Sequence, residues 1–199
     1  MILTPGVVLQ LAAQCAPQVA AETLLAVARA ESGLDTLAIG VNGAAPRRVR
    51  VASQSEAVTQ ARTLIAAGTN FDLGLAQINS ANLRRLGLSV ADAFDPCRSL
   101  AASATLLQSN YQAARAVTAD DQSALRTSLS LYNTGDARRG FTNGYVARVE
   151  RWAAVGPGLP VNRQTPVAEA PPAPSLDVFG DLRPAAFVTF PSARPGDPP

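Results

Sequence analysis

Proline is spread so unevenly along this chain that it sets how much of the chain can fold. Eleven of the 15 prolines lie between Pro157 and Pro199. Proline gives no amide hydrogen to a helix or a sheet ladder, and its fixed φ keeps the backbone extended. A segment of that composition buries too little apolar surface to offset its ordering entropy. Residues 156–199 are therefore expected to form an extended, mostly disordered tail, and residues 1–155 the folded domain. Two apolar clusters interrupt the tail, Leu176-Asp177-Val178-Phe179 and Phe187-Val188-Thr189-Phe190. Residues 176–190 read as a docking motif that adds a strand to a partner, or alternatively as a flap over a groove or sheet edge of the domain.

The ionisable side chains narrow the chemistry. All 17 cationic side chains are Arg, and the chain has neither Lys nor His. This excludes Ser-His-Asp and Cys-His machinery, Schiff-base lysines, P-loops and imidazole-based zinc sites. Proton chemistry without a cofactor must then come from Asp, Glu, Tyr or Cys. A net charge of +2 does not suit a nucleic-acid binder. No apolar run reaches the ~20 residues of a membrane span. The stretch from Met1 to Ala16 is mildly apolar, but its first cation is Arg29, so it lacks the basic start of a signal peptide. Cys15 and Cys97 are too few for a metal knuckle; they are either a disulfide or two buried thiols.

Hydrophobic periodicity predicts a mainly helical α+β domain. A helix is expected from Pro17 to about Glu31, stopped by Gly33, with Ala20, Leu24, Val27 and Glu31 on one face. Arg47 to Val51 alternates like a short strand, and Ser55 to Ala66 reads as helix. Further helices are expected from Ser99, from Asp121 to Tyr132, and from Asn143 with Tyr145, Val149 and Trp152 on one stripe.

Within this frame a few residues carry chemistry. Glu31 ends an apolar stripe, so its carboxyl should face the core, and burial raises a carboxyl pKa toward the range of a general acid. The plainer alternative is a Glu paired with one of the many arginines. Asp72 offers the second carboxylate that glycosidases use, or else a turn residue. Gln77 and Asn79 bring two amides onto a non-helical segment, which suits sugar hydroxyl and acetamido groups or a buried amide network. Tyr132 and Asn133 form a polar tip before Gly135, and Tyr145 sits on an apolar stripe.

Taken in order, Glu31-Ser32-Gly33, Gly74-Leu75-Ala76-Gln77-Ile78-Asn79 and Leu131-Tyr132-Asn133-Thr134-Gly135 resemble the lytic transglycosylase domain of the lysozyme superfamily, with Ala76 where Met is usual. The segments Cys15-Ala16-Pro17, Ala38-Ile39-Gly40-Val41-Asn42-Gly43, Phe94-Asp95-Pro96-Cys97 and Gly140-Phe141-Thr142-Asn143-Gly144-Tyr145-Val146 resemble the subgroup that accompanies type IV secretion and conjugation. The resemblance covers about residues 9–152.

It implies a lysozyme-like, two-lobed domain with a central cleft. The substrate it implies is the peptidoglycan strand, cut at the β-1,4 bond between N-acetylmuramic acid and N-acetylglucosamine with a 1,6-anhydromuramyl product. Glu31 matches the catalytic acid, with Asp72 as an electrostatic partner. Ser32, Gln77, Asn79, Tyr132, Asn133 and Tyr145 are expected to shape the cleft. The resemblance also implies a periplasmic setting, a Cys15–Cys97 disulfide, secretion-system partners through residues 176–190, and no metal or cofactor. The rival readings are a lysozyme-type muramidase, which is a hydrolase, and a non-catalytic glycan-binding assembly module.

Overall fold

A computed structural model of the protein describes residues 1–43 and 45–156. The tail, its docking motif and the domain boundary at 155/156 thus lie outside or at the edge of the described residues. Helices dominate: α1 (Pro5–Cys15), α2 (Ala21–Ser32), α3 (Gln54–Ala66), α4 (Val90–Phe94), α5 (Pro96–Arg115), α6 (Asp121–Thr134), α7 (Arg139–Thr142) and α8 (Tyr145–Val155). Four short strands, β1 (Ile39–Val41), β2 (Arg47–Val49), β3 (Phe71–Leu73) and β4 (Ile78–Asn79), pair antiparallel in the order β2-β1-β3-β4.

Local chemistry explains most boundaries. Ser53, Ser89, Asp95 and Asp120 each cap a helix by accepting an amide hydrogen bond from its first turn. Asp95 followed by Pro96 starts α5 three residues before Ser99, the start that the periodicity suggested. Gly33 ends α2 and Gly135 ends α6 with φ of 64° and 67°, the left-handed cap that glycine adopts without strain. Two expectations change. Pro17 does not open α2; it lies in a turn before Ala20, because α1 ends just ahead of it. The mildly apolar N-terminal stretch is itself a helix, α1, capped by Thr4 and buried through Val8 and Ala12.

The side chains segregate into two cores. One gathers α1, α2, α5, α6 and α8 around Leu24, Val27, Leu100, Leu107, Leu129 and Tyr145. The other packs the sheet and α3 around Ile39, Phe71, Leu73, Ile78, Phe94 and Leu106. Helix α5 serves both, with Leu100, Ala104 and Leu107 on one side and Ala102 and Leu106 on the other. Tyr132 packs against both cores, so it marks the seam between them.

Cys15, at the end of α1, is disulfide-bonded to Cys97, in the first turn of α5. The bridge spans 82 residues and encloses α2 and the whole sheet. In the chain-entropy picture a loop of that size is worth about 4 kcal/mol. Replacing both cysteines by Ser is expected to lower Tm by about 10 °C or more, measured by calorimetry; an unchanged Tm would show that the bridge adds nothing to the fold.

Candidate active site

The sheet's register builds one wall of the site. Arg48 pairs with Gly40, Gly40 with Asp72, and Asp72 with Asn79, so these four residues form one row across the sheet. Alternation along the strands puts that row on one face, while Ile39, Val41, Phe71 and Leu73 point into the second core. Asp72 is thereby held on the cleft side. Its Oδ2 accepts from Asn42 Nδ2 at 2.8 Å and its Oδ1 from Asn79 Nδ2 at 2.7 Å. Burial raises the Asp72 pKa, and the two amides, which favour the charged form, work against that rise. Asn70 completes the network by bonding to Asn42 and Asn79.

Gly40 has no side chain where the row passes Gln77; an added Cβ would lie 2.9 Å from Gln77 Oε1. Gln77 itself holds a left-handed backbone (φ 47°), which is costly outside glycine. Its Nε2 donates to the carbonyls of Ala38 (3.1 Å) and Gly74 (3.0 Å), and these bonds hold the amide in place beside the cleft.

The opposite wall is helical. Glu31 stands in the last turn of α2, close to Tyr132 at the seam of the two cores. Its Oε1 is buried with no hydrogen-bond partner among the described residues. Burial pushes the carboxyl up from its ordinary 4.5 to about 7. The nearby Tyr145 hydroxyl and the cations Arg148 and Arg48 favour the charged form, and Asp72 disfavours it. The Tyr145 hydroxyl approaches Glu31 without reaching the geometry of a full hydrogen bond, so both polar atoms stay buried and unpartnered. Burial also holds the hydroxyls of Tyr132 and Tyr145 above their usual pKa, with the Glu31 charge adding to the effect. Arg48 anchors the acid's backbone directly, donating from Nη2 to the Glu31 carbonyl at 3.1 Å.

A cleft of about 630 Å³ runs between the walls, lined by Glu31, Asp72, Gln77, Asn79, Tyr132 and Asn133 among others. Tyr132 donates to the Ala76 carbonyl at 2.7 Å, joining α6 to the Gln77 turn. Asn133 Oδ1 accepts from Asn143, whose own Oδ1 caps the amide of Tyr145. Two candidates sit differently from the rest. The Ser32 hydroxyl is buried and donates toward the carbonyls of Ala28 and Leu75, so it ties α2 to the Leu75 turn and does not face the cleft. Tyr145 is fully buried beneath Glu31, with Arg148 over its ring at 5.2 Å. Among the described residues no group of three acidic or thiol side chains gathers where a metal ion could be held.

The profile of the Transglycosylase SLT domain matches residues 9–155, which takes in both walls of the cleft. The chain belongs to the SLT transglycosylase family. It is 38% identical over 197 residues to the type IV secretion system protein virB1 of Brucella suis biovar 1, covering 89% of this chain and 82% of that protein. It is 44% identical over 140 residues to protein virB1 of Agrobacterium fabrum, covering 70% of this chain and 56% of that protein. No solved structure gives a significant match. Within this SLT domain the sequence motifs miss the amide of Asn70, the Arg48 anchor and Arg148. Strand pairing, which joins residues far apart in sequence, brings Arg48 to the site, while Asn70 lies just ahead of β3, two residues from Asp72.

Because folding raises the Glu31 pKa, the native state binds more protons than the unfolded chain between about pH 4.5 and 7. Stability must therefore fall as pH rises through that window. The shift corresponds to about 3 kcal/mol at most above pH 7. Glu31→Gln should remove this loss, so the variant should be more stable than the parent at pH 8 and nearly equal to it at pH 4. Denaturant titration at both pH values checks this; equal stabilities at pH 8 would mean that the carboxyl is not desolvated.

Proposed function

We propose that the protein is a peptidoglycan lytic transglycosylase that opens the wall locally for a type IV secretion or conjugation apparatus, acting in the periplasm. The observation that carries the reading is the Glu31 carboxyl, buried at the head of an amide-lined cleft with a pKa of about 7. About half of such groups hold a proton at neutral pH, which suits a general acid. The Gln77 amide oxygen offers an acceptor and the Asn133 amide nitrogen a donor of the kind that hydroxyl and acetamido groups require, with Asn79 holding Asp72 in place. No helix among the described residues is long and apolar enough to cross a membrane.

In the proposed reaction Glu31 gives its proton to the glycosidic oxygen as the bond from the muramyl C1 breaks, releasing the N-acetylglucosamine end as an alcohol. Positive charge builds at C1 and its ring oxygen. Asp72 offers the compensating negative charge; both its oxygens already accept an amide hydrogen bond, which favours an electrostatic role over a nucleophilic one. The Glu31 carboxylate then takes the proton from the muramyl 6-hydroxyl as that oxygen bonds to C1. The product is a 1,6-anhydro sugar, no water is consumed, and Glu31 ends protonated as it began.

Incubation with purified peptidoglycan and mass spectrometry of the soluble products tests this. Products one water lighter than hydrolytic ones support the transglycosylase; reducing-end products would make the protein a muramidase. Glu31→Gln is expected to lower the rate by at least ~10²-fold, with the fold intact by circular dichroism. Activity of the parent should decline as pH rises past about 7, where the acid loses its proton. An alkaline limb that survives in Glu31→Gln would assign it to another group.

A further inference from the structure

The cleft is chemically lopsided about Glu31. On one side lies the amide-lined groove. On the other lies a second groove of about 590 Å³, which Glu31 also borders. This second groove has no Asn or Gln side chain; its accessible cationic wall is Arg48 and Arg50, and Leu37 and Val51 supply apolar surface. The nearby Ser32 hydroxyl is buried and directs its one proton at backbone carbonyls, so it offers a sugar nothing there. Carboxylates would find Arg48 and Arg50. Arg29 is buried behind them, held by the Gly156 carbonyl at 2.7 Å and the Trp152 ring at 5.4 Å, so it adds positive charge to the groove without presenting a free donor. Arg50 takes part in none of the salt bridges among the described residues, and neither does Arg48. The groove's acids compete little: Asp35 already bonds to the Met1 ammonium at 2.8 Å, and Glu31 is half protonated near neutral pH.

We infer that this arginine-lined groove receives the carboxylates of the peptide stem carried by the muramyl residue at the scissile bond. The inference rests on the glycan-cleavage reading above and adds a specificity to it. Saccharide lies along the amide groove, and the stem, an anionic peptide with small aliphatic side chains, turns into the second groove. Its carboxylates meet the guanidinium groups of Arg48 and Arg50, and its methyl groups meet Leu37 and Val51. The stem then fixes which sugar sits over Glu31, since only a residue that carries one can fill both grooves.

Full-length protein is given peptidoglycan strands with native stems, and the same strands with the stem carboxylates converted to amides. The parent protein should favour native stems by about tenfold in kcat/KM, the scale of a charge-assisted contact, with the difference in KM. Arg50→Gln and the double variant Arg48→Gln/Arg50→Gln should progressively lose that preference, while Arg50→Lys keeps most of it. Arg50 is exposed, so its loss leaves the fold intact. Equal rates on both strands, or a preference that survives in the double variant, overturn the inference and leave the cleavage reading standing. No cleavage of either strand by the parent overturns the cleavage reading, and the inference with it.

Discussion

Desolvation of one carboxyl group is the constraint on which the chemistry of this fold depends. Glu31 stands in the last turn of α2, beside the Tyr132 that packs against both hydrophobic cores. Its Oε1 is buried, and among the described residues no donor makes a full hydrogen bond to it, the nearby Tyr145 hydroxyl giving only partial compensation. A charge in such a place costs several kcal/mol unless it is paired, and the group responds by holding its proton to about pH 7. The surroundings limit the effect. Arg48 and Arg148 lie close enough to stabilise the anion, so both charge states of the carboxyl are populated near neutral pH. A fully apolar pocket would trap the proton, and a full ion pair would remove it.

The two cores exist to hold that seam. Helix α5 runs between them and feeds side chains to both, and the disulfide ties its first turn to the end of α1. Tyr132 spans the seam and bonds to the Ala76 carbonyl, so the helical wall and the Gln77 turn are set relative to each other. Arg48 reaches from the sheet to the backbone of the acid. The opposing walls of the cleft are thus linked through covalent, packed and hydrogen-bonded contacts. That linkage is what a preorganised site requires, because it leaves little rearrangement to the moment of reaction.

Much of this was legible in the sequence, and the gaps have a common cause. The apolar period of α2 pointed Glu31 inward, and glycines marked where α2 and α6 end. Motif order pointed to the lytic transglycosylases, and the SLT match agrees with that family. What periodicity did not reveal was contact between distant residues. Arg48 looks like an ordinary surface residue until antiparallel pairing brings its strand to the site. Ser32 sits beside Glu31 in sequence, yet one helical step turns its hydroxyl away from the cleft and toward Leu75. The N-terminal helix was missed because its apolar residues, Val7, Val8, Leu9 and Leu11, spread around the helix with little amphipathic contrast, and its burial depends on the other helices of the first core.

The central claim is that Glu31 carries its proton near neutral pH. Carbon-13 NMR of selectively labelled glutamate, with Glu31 assigned by comparison with Glu31→Gln, reads that directly. A titration midpoint near 7 is predicted. A midpoint below 5, within the ordinary range of an exposed carboxylate, would contradict the account, because the group would then be an anion throughout the pH range in which a general acid is needed.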